Sequence, residues 1–188
     1  DQDIKSMASA TIENKSLKDK VNNLEKQNTE SEKDIKTKTK KAEFSEDQLR
    51  VALKQEIGKG LAEVQREKDR IVVTVGSAGA FSSGSAKLTK KAREIMQKIA
   101  KVSGKGAGQV NVSGHTDDVP LIFGGQYRDN WDLAAARASS VVQELSKSGT
   151  IPSDKLRAIS FGETKPIEQN DTKQGREKNR RIEIEIKY

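Results

Sequence analysis

All three prolines and 12 of the 14 glycines of this 188-residue chain lie after residue 70. Glycine and proline punctuate the connections of a small globular domain, so a stretch almost without them is either a long helix or a solvated linker. Composition sharpens the contrast. Residues 1–70 carry 16 basic and 15 acidic side chains and a single aromatic, Phe44. Residues 71–188 hold 19 basic and 13 acidic residues and the other six aromatics. The first part is charged and poor in core material; the second reads as an ordinary small domain.

Several functions drop out at once. The chain has no cysteine, hence no disulfide framework, no thiolate nucleophile and no Cys-ligated zinc or iron–sulfur cluster. A single histidine, His115, excludes a multi-His metal site. No apolar run approaches the roughly 20 residues needed to span a bilayer as a helix. The chain opens Asp1-Gln2-Asp3, with neither a starting Met nor a leader, and so reads as a fragment or processed product whose membrane segment, if any, lies elsewhere.

In residues 1–44, Met7, Ala10, Leu17, Val21, Leu24, Ile35 and Ala42 recur at alternating steps of three and four, the a/d pattern of a coiled coil. Asn14, Asn28, Ser31 and Lys38 fill the seam between them and make it a weak one. A coiled coil and a solvated charged linker both fit. Residues 45–70 read as a second, amphipathic helix leading into the domain. Ser45 with Gln48 forms a capping box, and Phe44 with Leu49 has hydrophobic-staple spacing. Leu49, Leu53, Ile57, Leu61 and Val64 then share one face down to about Arg66, although Gly58 and Gly60 weaken that reading.

Residues 71–188 alternate strand and helix signals. Ile71–Val75, Gln109–Ser113, Leu156–Phe161 and the alternating Ile182, Ile184 and Ile186 read as strands. Thr89–Val102 and Trp131–Lys147 read as helices, the second capped by Asn130 and stopped at Gly149. The order βαβα-β-β implies an α/β (α+β) two-layer sandwich, one mixed sheet with its helices on one face.

Enzyme signals are weak, and no cofactor or metal is expected. The glycine-rich loop Gly76–Gly84 lacks both the dinucleotide fingerprint and the Lys-Ser/Thr of a phosphate-binding loop. His115 beside Asp117 and Asp118 lacks a flanking nucleophile motif. The net charge of +7 and the cluster Arg176–Arg181 raise nucleic acid as a partner. Interleaved acids and the lack of an aromatic stacking platform argue against it.

Four separated motifs are more informative. Thr116-Asp117 follows a strand, and Asn130-Trp131-Asp132-Leu133-Ala134-Ala135-Ala136-Arg137-Ala138 opens a helix. Phe161-Gly162-Glu163 with Pro166 comes next, and Asn170–Arg181 contains Gly175-Arg176 and Asn179-Arg180-Arg181. In this order the set resembles the peptidoglycan-binding OmpA-like domain over residues 71–188, with Ser160 standing where the family usually has glycine. Gly114–Asp117 followed by Tyr127-x-Asp129-Asn130-Trp131 looks most like the stator B subunits of the flagellar motor, the MotB/PomB family. Ala134–Ser140 and the mixed-charge linker favour the sodium-driven PomB side.

The resemblance implies an anchor rather than an enzyme. It would be the periplasmic part of a single-pass inner-membrane protein, dimeric and partnered with a polytopic stator A subunit, gripping peptidoglycan while residues 1–70 set its reach. An OmpA/Pal-type protein tethering the outer membrane to peptidoglycan is the alternative. The implied peptidoglycan-binding residues are Asp117, Arg137, Thr116, Asn130 and Arg181. Within the family, the aspartate at the position of Asp117 takes the ammonium of meso-diaminopimelate and the arginine at that of Arg137 a carboxylate. A planar guanidinium fork suits the second task, and a helix N-terminus at Asn130 adds positive partial charge. Asn130 could equally be only a cap, Arg176 and Arg181 are expected mainly to hold loops and the last strand, and Asp117 and Arg137 are expected to pair when the site is empty.

Overall fold

The computed structural model describes residues 2–82, 84–104, 106–121 and 125–188, with side chains from residue 13 onward. The seam positions Met7 and Ala10 therefore lie outside the described side chains. The chain divides into two units, residues 1–38 and residues 39–188. The first is helical, part of α1 (Gln2–Ala52), and all its described side chains are exposed, Leu17, Val21, Leu24 and Ile35 included. No helix among the described residues is long and apolar enough to cross a membrane.

The second unit begins with the end of α1, whose Ala42 and Leu49 are fully buried, as is Leu53 just past its last residue. These positions are separated by seven and four residues, one helical face, and they supply part of the hydrophobic core. Two expectations fail here. Residue 45 does not start a helix: α1 runs straight through it, so Ser45 has no orphan N–H groups to cap, and Phe44 is exposed rather than stapled. Nor does helix extend to Arg66. It ends with the short α2 (Lys54–Gly58), Gly60 turns the chain at φ +67°, and Ala62–Glu67 forms strand β1. Two glycines uncouple the helix, and β2 (Arg70–Gly76) offers a hydrogen-bonding ladder, so Val64 is buried from a strand.

The remaining elements are α3 (Ser77–Ala80), α4 (Lys90–Ser103), β3 (Gln109–His115), α5 (Asn130–Lys147), β4 (Leu156–Gly162), α6 (Lys173–Asn179) and β5 (Arg181–Lys187). The expected βαβα-β-β order holds from β2 onward, with α6 inside a segment the sequence reads as loop. The sheet order is β1-β2-β5-β3-β4, antiparallel throughout except for the parallel pair β3–β4.

Register explains the core. Val73, Ile184 and Val112 lie in one row, and Ile71, Ile186 and Val110 in the next. All six are buried beneath the helices, while Glu183, Glu185 and Asn111 take the opposite face, as strand alternation requires. α4 adds Ile95, Met96 and Ile99; α5 adds Ala138, Val141 and Leu145. The open edge at β1 is partly closed from α1: Arg50 Nη2 donates to the Val64 carbonyl at 2.6 Å, and Arg66 pairs with Glu46 at 2.9 Å.

Candidate functional site

The third row of the sheet brings the two halves of the site together. It runs Val75, Ile182, Gly114, and at Gly114 the backbone of α5 lies so close that a Cβ would collide with the Ala134 carbonyl. This approach sets the first turns of α5 against the end of β3, where Thr116 and Asp117 leave the strand. Asp129, not Asn130, caps α5: its side chain accepts from the Asp132 N–H at 2.8 Å. Asn130 is instead the first helical residue. Its Nδ2 donates to the carbonyls of Asp117 (3.3 Å) and Val119 (3.2 Å), pinning the Asp117 loop to the helix. Arg137 lies seven residues further on, two turns along the same face.

Thr116, Asp117, Asn130, Leu133 and Arg137 line one cavity of about 310 Å³, together with Val119, Pro120, Leu121, Arg176 and Arg180. A neighbouring hollow of about 360 Å³ is lined by Ser77, Ala78, Phe81 and Ser82, and shares Gly84, Arg137 and Arg180 with the first. Four of the five residues expected at the site thus converge on one cavity.

Arg137 is the most unusual of them. It is only 6% exposed, its Nε donates to the Ser85 carbonyl at 3.1 Å, and its guanidinium carbon lies 5.0 Å from the centre of the Phe81 ring. Nη1 is buried without a hydrogen-bond partner among the described residues. Burial pushes its pKa down, Tyr127 opposes that shift, Arg180 adds to it, and Asp117 opposes it. A guanidinium stays charged regardless. What results is a buried cation with an idle donor on the wall of the cavity, an arrangement that favours an anion.

Asp117 is paired, but not with Arg137 as expected: its Oδ2 accepts from Arg180 Nη1. Its Oδ1 accepts from the Val119 N–H at 3.3 Å. Thr116 is tied by its backbone N–H to the Gly162 carbonyl (2.9 Å), and its buried hydroxyl has no partner among the described residues.

Arg181 is not in this cavity. It is buried on the opposite face, with Nε on Glu183 Oε1 at 2.7 Å and further bonds to the carbonyls of Asn179 and Lys165. Arg176 reaches the cavity edge while donating to the Asn170 carbonyl at 2.6 Å. Sequence reasoning missed Arg180, though a signal was present. Counting back from the inward-facing Ile182 puts Arg181 on the outer face and leaves Arg180, just before the strand, for the site. Ser160, the departure from the family pattern, donates its hydroxyl to the Trp131 carbonyl at 2.9 Å, beside the N-terminus of α5.

Comparison with known proteins gives one consistent picture. The OmpA family pattern matches residues 80–180. An uncharacterized protein of Bacillus subtilis, YtxE, is 33% identical over 87% of this chain and 67% of its own length. Motility protein B of the same organism is 29% identical over 66% of this chain, and the match spans only 48% of that protein. Among solved structures, the periplasmic domain of Helicobacter pylori MotB superimposes with a TM-score of 0.60 at 28% identity, covering 67% of this chain and 81% of that one. The cell wall anchor of the T6SS from Pseudomonas aeruginosa gives 0.68 at 32%, covering 74% and 96%. With the family pattern spanning more than half of its residues and motility B proteins among its relatives, this chain belongs to the OmpA family, as a MotB-like member.

Proposed function

We propose that this chain is the wall-anchoring part of a flagellar motor stator subunit, and that its cavity binds the zwitterionic end of a diaminopimelate side chain in peptidoglycan. The observation that carries this reading is the meeting, in one cavity, of the Asp117 carboxylate with a buried guanidinium, Arg137, whose Nη1 has no hydrogen-bond partner among the described residues. An ammonium and a carboxylate on one carbon match those two groups. Membership of the OmpA family and the likeness to a MotB periplasmic domain and to a cell wall anchor support it. The work asked of the site is non-covalent holding. In this reading the protein works on the periplasmic side of the inner membrane as a homodimer, beside a polytopic stator A subunit. Residues 1–38 set its reach: 38 residues span roughly 57 Å as helix and roughly 130 Å extended.

Sedimentation with purified peptidoglycan tests the site. Asp117→Asn and Arg137→Ala are each expected to lose pull-down at least about tenfold, since a charged hydrogen bond contributes about 1.5–3 kcal/mol. Full retention by both variants, with native melting curves, would refute the assignment. The likeness to a type VI anchor favours a second reading, a general wall tether. A motility assay in cells lacking the protein separates the two, because a tether alone would leave swimming intact.

A further inference from the structure

Asp117 does not offer the cavity a free carboxylate. Arg180 already occupies Oδ2, so an incoming cation has to compete with a guanidinium for the carboxylate. Of the two partners Arg180 is the freer: its side chain is 32% exposed, that of Asp117 10%. Arg180 also borders both hollows that Arg137 borders. Three guanidiniums, those of Arg137, Arg176 and Arg180, therefore line the first cavity around one carboxylate.

We propose that Arg180 is the residue that makes this site selective for zwitterions, by exchanging partners when a ligand enters. The inference rests on the function proposed above and adds to it the group that sets specificity. As the ligand's ammonium takes Asp117, Arg180 turns to the ligand's carboxylate beside Arg137, so that Asp117, Arg180 and Arg137 each face an opposite charge. A diamine cannot do this. It would claim Asp117 and leave Arg180 unpaired next to two other guanidiniums, a like-charge arrangement that opposes binding. A dicarboxylate can meet Arg137 while Arg180 stays on Asp117, so it engages one of these two guanidiniums where the zwitterion engages both. Discrimination thus comes from the resident ion pair as well as from the contacts a ligand makes.

Calorimetric titration of the full chain with three probes tests this: meso-diaminopimelate, 1,5-diaminopentane and heptanedioate. Wild-type protein should prefer diaminopimelate to the diamine by at least about tenfold. In Arg180→Gln the diamine should bind several-fold more tightly and diaminopimelate more weakly, so that the ratio falls by about tenfold or more. Arg180→Lys should keep part of the preference, since a lysine pairs with Asp117 but lacks the fork for a carboxylate. A parallel loss for all three probes, or an unchanged ratio in a folded Arg180→Gln protein, overturns the proposal. If Arg180→Gln loses its native melt, Arg180→Lys decides alone: weaker diaminopimelate with unchanged diamine supports the exchange, and parallel weakening refutes it. Wild-type protein that binds neither peptidoglycan nor any probe would instead remove the site reading itself.

Discussion

Gly114 shows how one absent methyl group sets the geometry of the site. Val75 and Ile182, its row neighbours, are buried beneath the helices, whereas at Gly114 the α5 backbone needs the space itself. Gly114→Ala should push α5 outward and cost about 1–3 kcal/mol, the usual range for overpacking. The urea midpoint measures that loss, and weaker wall binding should accompany it because α5 carries Arg137. Arg181 gives the converse case: Arg181→Gln should lower the melting temperature yet keep peptidoglycan pull-down, since its bonds run to Glu183, Asn179 and Lys165 and not into the cavity. At this scale the motifs made Thr116, Asp117, Asn130 and Arg137 legible. Arg180 stayed hidden because its role depends on which side of β5 the chain enters, a matter of strand parity rather than residue type.

Among the elements, those whose apolar period agrees with a single packing face could be read to within a residue or two. α4 is an example, its Thr89 cap accepting from the Ala92 N–H at 3.1 Å. The stretch 45–66 could not. Leu61 and Val64 continue the helical spacing of Leu49, Leu53 and Ile57 by coincidence, and only tertiary pairing with β2 decides that residues 62–67 are extended. α6 escaped because its seven residues bury just Gly175 and Asn179. Asn179 is a tie rather than a core residue, accepting from the N–H groups of Ile167 and Glu168 and donating to the Glu168 carbonyl. The contrast between the exposed side chains of residues 13–38 and the buried turn that follows α1 yields a paired prediction. Leu53→Ala should cost about 2–5 kcal/mol in thermal or denaturant melts, as a fully buried leucine does. Leu24→Ala, at a position 63% exposed, should leave the same melt unchanged.

For the molecule as a whole, acid stability should come above all from one carboxylate on the sheet's outer face, with Glu56, Asp132 and Glu144 also held below their ordinary values by Lys98, Arg128 and Lys147. His115 and Arg181 hold the Glu183 carboxyl at about 2, well below its ordinary value of 4.5. Arg181 makes the hydrogen bond at 2.7 Å, while His115 Nε2 lies 3.6 Å away. The folded state thus binds its proton less readily than the unfolded chain does. The stabilisation is complete above about pH 4.5 and is lost as pH falls toward 2. Melting temperatures measured from pH 6 to 2 should show that decline, and Glu183→Gln should make it shallower. Removing residues 1–38 should leave the melt of the remainder unchanged, because all described core side chains belong to residues 39–188. The bond from Arg50 to the Val64 carbonyl has a wider consequence. A bare outer strand is a template onto which other polypeptides can be recruited, end to end, into fibrils. By occupying one of those acceptors, an arginine from the preceding helix helps keep crowded copies of the protein dispersed.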